Sequence, residues 1–169
     1  GRRAGLSGEE SGTVPAVCET AAALTSGLCA RELGQGEGTK GQRAYLAHGA
    51  RGARGEAESG FASVRGIGLP ALKSALASGA GEDAALLLAL LALIAGVEDT
   101  NALTRVGEET ARSARRAAAE LYCQRPMPEE EFFQRLRELD AAYVKDNISH
   151  GGCADLLALT WLFHRLDCR

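Results

Sequence analysis

Three segments of the chain set ionisable and hydrogen-bonding side chains beside glycines, a combination that lets backbone come close to a charged ligand. The first is Gly52-Ala53-Arg54-Gly55-Glu56-Ala57. Arg54 offers a planar fork that grips phosphate oxygens, and Glu56 can hold a metal or another arginine. Lys40, Arg43, Arg51 and Arg65 lie near in sequence and make the region locally basic. The competing reading is a surface loop with solvated charges. The second segment is Glu98-Asp99-Thr100-Asn101, followed by Arg105. It comes after a strongly apolar run, so its carboxylates meet the negative end of a helix, which is unfavourable unless a cation compensates. Asp99 and Asn101 can supply oxygens to Mg²⁺, a hard ion that takes few protein ligands together with phosphate. Equally, Asp99 or Thr100 can simply cap the next helix.

The third segment is Asn147-Ile148-Ser149-His150-Gly151-Gly152-Cys153-Ala154-Asp155. Two glycines ahead of a helix expose its first N–H groups, which suits an anion. Gly151 and Gly152 with Ser149 are therefore the phosphate candidates. Asp155 stands in the first turn, where its charge is favoured whether or not it has a function. No Lys-Ser/Thr follows, so this is not a P-loop. The remaining chemistry is thin. His48, His150 and His164 show no ligand spacing, and no Gly-x-Ser-x-Gly is present. Cys153 can be activated by a helix N-terminus, but a packed thiol is the simpler reading.

These segments need a scaffold, and the composition points to helices. The apolar share is 46% and the charged share 24%, the balance of a globular protein, with aromatics held to 5%. Ala, Leu, Glu and Arg lose little freedom on a helix. Thr13 reads as a cap for a helix with Pro15 in its first turn, running to Leu33 and ended by Gly34, Gly36 and Gly38. Thr39 opens a second helix that stops near Gly49. Residues 49–68 read as irregular structure with a short helix around Glu56 to Gly60. Pro70 starts a helix running to Ser78. Glu82 and Asp83 suit the positive end of an apolar helix covering Ala84 to Ala95, which other helices must surround. A turn over Glu98 to Gly107 leads to an amphipathic helix ending near Tyr122. Further helices cover Glu129 to Val144 and Ala154 to Leu166. No alternating strand pattern is present. The fold expected is all-α, a single multi-helix bundle over residues 1–169, with 1–12 as a loop.

A net charge of −3 gives no global attraction for nucleic acid or anionic lipid. The apolar run falls short of the roughly 20 residues a membrane span needs. The five cysteines contain no C-x-x-C pair, so neither a zinc site nor a disulfide framework is indicated, and free thiols in a reducing cytoplasm are expected.

Taken in order, several strings resemble the triphosphoribosyl-dephospho-CoA synthase family, which makes the prosthetic-group precursor of citrate lyase and malonate decarboxylase. They are Gly52-Ala53-Arg54-Gly55-Glu56-Ala57 with Gly60-Phe61, then Leu69-Pro70-Ala71-Leu72. Asp99-Thr100-Asn101 with Arg105 and Gly107 comes next, followed by Ile148 through Ala158. The likeness starts near Ala16 and is to the C-terminal part of the family. A Lys-Pro-Gly segment, a His/Asp-Met stretch and an Asn-Thr-His-Lys-Gly-like motif of the family's N-terminal part are not in this sequence. The chain is therefore expected to be part of a longer enzyme, and a non-catalytic helical fragment is the alternative. His150 stands where the family has Pro, and Val106-Gly107 where it has a Gly pair.

The resemblance implies transfer of the triphosphoribosyl group of ATP to the 2′-hydroxyl of 3′-dephospho-CoA, with release of adenine. The product would pass to an acyl-carrier-protein ligase. It implies a cytoplasmic enzyme that acts on neither nucleic acid nor membrane and can be a homo-oligomer. Arg54 and Arg105 would bind phosphate, and Ser149, Gly151 and Gly152 would line the anion site. Asp99, Asn101 and Glu56 would hold Mg²⁺ or polar substrate groups, and Asp155 would be a base or ligand. All of this requires Arg54, Asp99 and Gly152 to converge at one end of the bundle.

Overall fold

A computed structural model describes residues 12–36 and 38–168. The expected loop at the N-terminus lies, apart from Gly12, outside the described residues. The described part is built from helices α1 (Thr13–Thr25), α2 (Leu28–Leu33), α3 (Lys40–His48), α4 (Gly52–Glu58), α5 (Leu69–Ala77), α6 (Glu82–Gly96), α7 (Thr100–Val106), α8 (Glu108–Cys123), α9 (Glu129–Lys145) and α10 (Gly151–Asp167). A π-helical turn, Val64–Gly68, runs directly into α5. No strand occurs among the described residues, so the fold is all-α.

The apolar helix is the hub. α6 buries Ala84, Ala85, Leu88, Ala89, Leu91, Ala92, Leu93 and Ile94, spread around its whole circumference. The π-turn, α5, α8 and α10 pack around it, which satisfies the need for neighbours on every face. No single described helix is long and apolar enough to cross a membrane. α8 presents Ala111, Ala114, Ala118 and Leu121 at helical spacing, and the three alanines let the backbones approach. α10 crosses the π-turn at Gly68, where a Cβ would lie 2.2 Å from the Thr160 hydroxyl. Phe163, 1% exposed, meets Phe61 edge-on at 5.8 Å.

Four local expectations are corrected. Thr13 is the first residue of α1 rather than its cap; Gly12 caps it, without a side-chain bond. The long first helix is two helices, because Gly27 adopts a φ of 74°, which breaks the helix between Thr25 and Leu28. Gly52 to Glu58 is a helix despite its glycines, held by packing against α1 and α2. The stretch after the hub is also helical: Asp99 caps α7, which meets α6 at 61°. The cap at Thr39 is as expected, with a reciprocal pair of hydrogen bonds to Gln42.

Candidate active site

The corner between α6 and α7 organises the site. α6 ends at Gly96, Val97 is extended, and Asp99 starts α7 with its Oδ1 accepting from the Asn101 N–H at 2.8 Å. The second oxygen, Oδ2, accepts from the backbone N–H of Cys153 in the first turn of α10 at 2.9 Å. One carboxylate thus caps two helices, although Cys153 lies 54 residues beyond Asp99 in sequence. Both positive helix ends favour its charge, and Asp99 is 5% exposed.

This double cap depends on the glycine pair. A Cβ at Gly152 would lie 3.1 Å from Asp99 Oδ1, and one at Gly151 would lie 3.0 Å from the Asn101 amide nitrogen. A third helix start reaches the same place: a Cβ at Gly52, whose φ is 54°, would meet the Thr100 side chain at 3.3 Å. The three glycine-bearing segments therefore do converge.

Between them lies a cleft of about 470 Å³. Its polar wall carries Arg51, Gly52, Glu56, Ser59, Ser63, Glu98, Asp99, Gly152 and Asp155, and its apolar side carries Phe61, Leu156 and Leu159. Glu56 is fixed in place, accepting from the Ser63 hydroxyl at 2.5 Å and the Ser63 N–H at 3.1 Å. α10 starts at Gly151 rather than Ala154, so Asp155 is its fifth residue, past the first turn where the sequence placed it, and it is exposed. Arg51 is ion-paired with Glu58, whose other oxygen accepts from the Cys29 N–H at 3.3 Å. Hydrogen bonding from Cys29, and then from Arg51, holds the Glu58 carboxyl below its ordinary value.

Among the residues named from sequence, Glu56, Asp99, Gly152 and Asp155 line the cleft. Arg54, Asn101, Arg105, Ser149 and Gly151 stand outside its lining. Arg54 points to α2, where it pairs with Glu32 at 2.6 Å. Asn101 covers Gly151 instead of facing the cleft. Sequence reasoning passed over Arg51 as a wall residue and Ser63 as the partner of Glu56. Arg51 precedes Gly52 directly, so it was the signal available for the first.

The charge of the cleft is unlike that of a simple phosphate site. Its lining holds one cation, Arg51, against the carboxylates Glu56, Glu98, Asp99 and Asp155. The N–H groups of Gly151 and Gly152 have no protein acceptor among the described residues. The Cys153 N–H of the same turn is already taken by Asp99. Mg²⁺, which keeps several of its waters, fits Asp99 poorly, because Asp99 is only 5% exposed. Glu98 and Asp155 are the exposed carboxylates of the wall. One of them with phosphate oxygens would meet the preference of Mg²⁺ for few protein ligands.

Residues 9–169 match the family model described as ATP:dephospho-CoA triphosphoribosyl transferase. The chain belongs to that family. It is 42% identical over 154 residues to a 2-(5''-triphosphoribosyl)-3'-dephosphocoenzyme-A synthase of Pectobacterium atrosepticum, covering 90% of this chain and 50% of that protein. It is 41% identical over 154 residues to a probable synthase of the same name from Pectobacterium carotovorum subsp. carotovorum, with the same coverage of both chains, 90% and 50%. As a triphosphoribosyl transferase family member, the chain therefore spans about half the length of the curated relatives it matches. No solved structure matches it.

Proposed function

We propose that this chain forms the acidic wall of a triphosphoribosyl transferase active site. The reaction transfers the 5-triphosphoribosyl group of ATP to the 2′-hydroxyl of 3′-dephospho-CoA and releases adenine. The observation that carries this reading is the convergence of the α4 start, the α6–α7 corner and the α10 start on one cleft. Family membership supplies the substrate class.

The chemistry divides naturally across such a cleft. The bond from C1 of the ATP ribose to adenine breaks, with its electron pair leaving on the base. The 2′-oxygen of dephospho-CoA bonds to C1, and its proton must be taken up. A carboxylate wall stabilises the cationic, oxocarbenium-like ribose and offers a proton acceptor. Asp155, exposed at the cleft, is the residue assigned to receive the hydroxyl proton. Glu56, held by Ser63, faces the ribose hydroxyls. Asp99 positions Gly152 and the first turn of α10 and does not itself react. The Gly151 and Gly152 N–H groups remain available to one phosphate.

The cleft's excess of carboxylates would repel a bare triphosphate. Its neutralising charge is assigned to Mg²⁺ arriving with the nucleotide and to cationic residues outside this chain. Arg51 is the cation the cleft itself offers. The product is the precursor of the prosthetic group of citrate lyase or malonate decarboxylase, to be handed to an acyl-carrier-protein ligase.

The test is adenine release from ATP and 3′-dephospho-CoA by the enzyme that contains this chain. Dependence on both substrates, with loss on Asp155→Asn, supports the reading. Absence of adenine in the unmutated enzyme overturns it.

A further inference from the structure

Beside the cleft, and sharing Glu98 and Asp99 with it, is a separate small cavity of about 40 Å³. His150, Arg115, Arg112 and Glu108 complete its charged lining. Two of these residues carry buried polar atoms without a hydrogen-bond partner: both ring nitrogens of His150, and Nε of Arg115. His150 is half-buried, but two enclosed ring nitrogens with no partner are costly and call for an occupant. Next to it are the buried thiol of Cys153, fully enclosed, and the Asp99 carboxylate. The ligand atoms of Asp99, His150 and Cys153 all lie within 4.8 Å of one another.

An oxygen, an imidazole nitrogen and a thiolate are the donor types zinc takes, usually with a water in the fourth position when three come from protein. The N–H bonds that Asp99 receives from Asn101 and Cys153 are of the kind that orient a ligating carboxylate. The cavity is large enough for a water, which needs about 10–15 Å³.

We propose that Asp99, His150 and Cys153 bind one Zn²⁺ ion, with a water in the adjoining cavity as its fourth ligand. Ligands around tetrahedral zinc stand about 3.5 Å apart, so the three groups, now within 4.8 Å, close by up to about 1.3 Å on binding. The His150 ring lies edge-on to Tyr143 at 4.9 Å and borders the cavity, and a turn of this ring is the movement assigned to binding. Binding forms a Zn–S bond and sends the Cys153 thiol proton to solvent. The carboxylate and thiolate then cancel the ion's charge, so Arg115 faces a neutral assembly. The ion ties the start of α10 to the α6–α7 corner. The spacing of the three residues in sequence gave no metal signal, because the site exists only where two helix starts meet.

The proposal stands apart from the transferase reading, and its test uses no turnover. The metal-free chain is titrated with Zn²⁺ by calorimetry in two buffers of different ionisation enthalpy, and with Co²⁺ by absorption. The expected result is one equivalent bound, one proton released, and a thiolate-to-cobalt charge-transfer band of tetrahedral type. His150→Ala and Cys153→Ser should each weaken binding by at least ~100-fold, since even outer partners are worth 10–100-fold. Cys168→Ser, which removes the exposed thiol beside His164, should change nothing. If Cys153→Ser loses its helical circular dichroism, His150→Ala alone decides. Absence of saturable binding means the cavity holds water only, and overturns the proposal. So does wild-type affinity in His150→Ala, or loss of binding in Cys168→Ser.

Discussion

Gly152→Ala tests the double helix cap that shapes the cleft. The new Cβ would stand 3.1 Å from Asp99 Oδ1 and 3.2 Å from both Cγ and Oδ2. Relaxed contact needs about 3.5 Å, so the carboxylate must retreat by a few tenths of an ångström. It is held by the Asn101 N–H at 2.8 Å and the Cys153 N–H at 2.9 Å, and both bonds lengthen as it moves. Hydrogen bonds to charged groups are worth about 1.5–3 kcal/mol each. Weakening the pair costs about 1–2 kcal/mol, while alanine returns up to about 1 kcal/mol of helix propensity. The net loss is about 1 kcal/mol, or about 2–4 °C in Tm for a chain of this size. A double-mutant cycle isolates the cause. Once Asp99→Ala has removed the carboxylate, Gly152→Ala should be neutral or stabilising, giving a coupling of about 1–2 kcal/mol in urea unfolding. Gly66→Ala, where a Cβ meets nothing within 4 Å, is the control and should not destabilise. Additivity of the Gly152 and Asp99 substitutions within about 0.5 kcal/mol would refute the argument.

Three further outcomes are expected. Asp155→Asn, at an exposed position, should leave the unfolding midpoint unchanged while adenine release falls by about 10²–10⁴-fold, the usual worth of a proton acceptor. Arg54→Ala breaks only an exposed pair with Glu32, so the loss of stability should stay below about 1 kcal/mol. Its adenine release should stay within a few-fold of the parent; a large fall in kcat would place Arg54 at the substrate after all. Gly68→Ala forces a Cβ to within 2.2 Å of the Thr160 hydroxyl at the crossing of α10 with the π-turn. It should lower the urea midpoint by the equivalent of about 1–3 kcal/mol, the usual cost of overpacking.

What could be read from the sequence was what depends on neighbours along the chain. The run after Glu82 is apolar on every face, so a buried hub was legible. So was the Thr39 cap, because its partner Gln42 is three residues away. The cap by Asp99 was open to local reading as well, since Asn101 accounts for one of its oxygens. Its second bond was not, because Cys153 lies 54 residues on and the pairing exists only once α7 and α10 abut. The glycines misled for a related reason. Gly52 and Gly55 weaken a helix in isolation, yet α4 forms where Gly52 must let Thr100 approach. Arg54 was singled out for its type, and its direction was set by Glu32 on α2, which no local pattern reveals. The three polar segments singled out in the sequence do meet at one cleft. Which side chains face the cleft, and that they are mostly acidic, followed only from the packing of three helix starts.

The most direct measurement of the central claim is adenine release by the enzyme containing this chain, supplied with ATP, Mg²⁺ and 3′-dephospho-CoA. The account predicts release that requires both substrates, falls by about 10²-fold or more in Asp155→Asn, and survives Arg54→Ala. Release that is unaffected by Asp155→Asn, or abolished by Arg54→Ala, would contradict it.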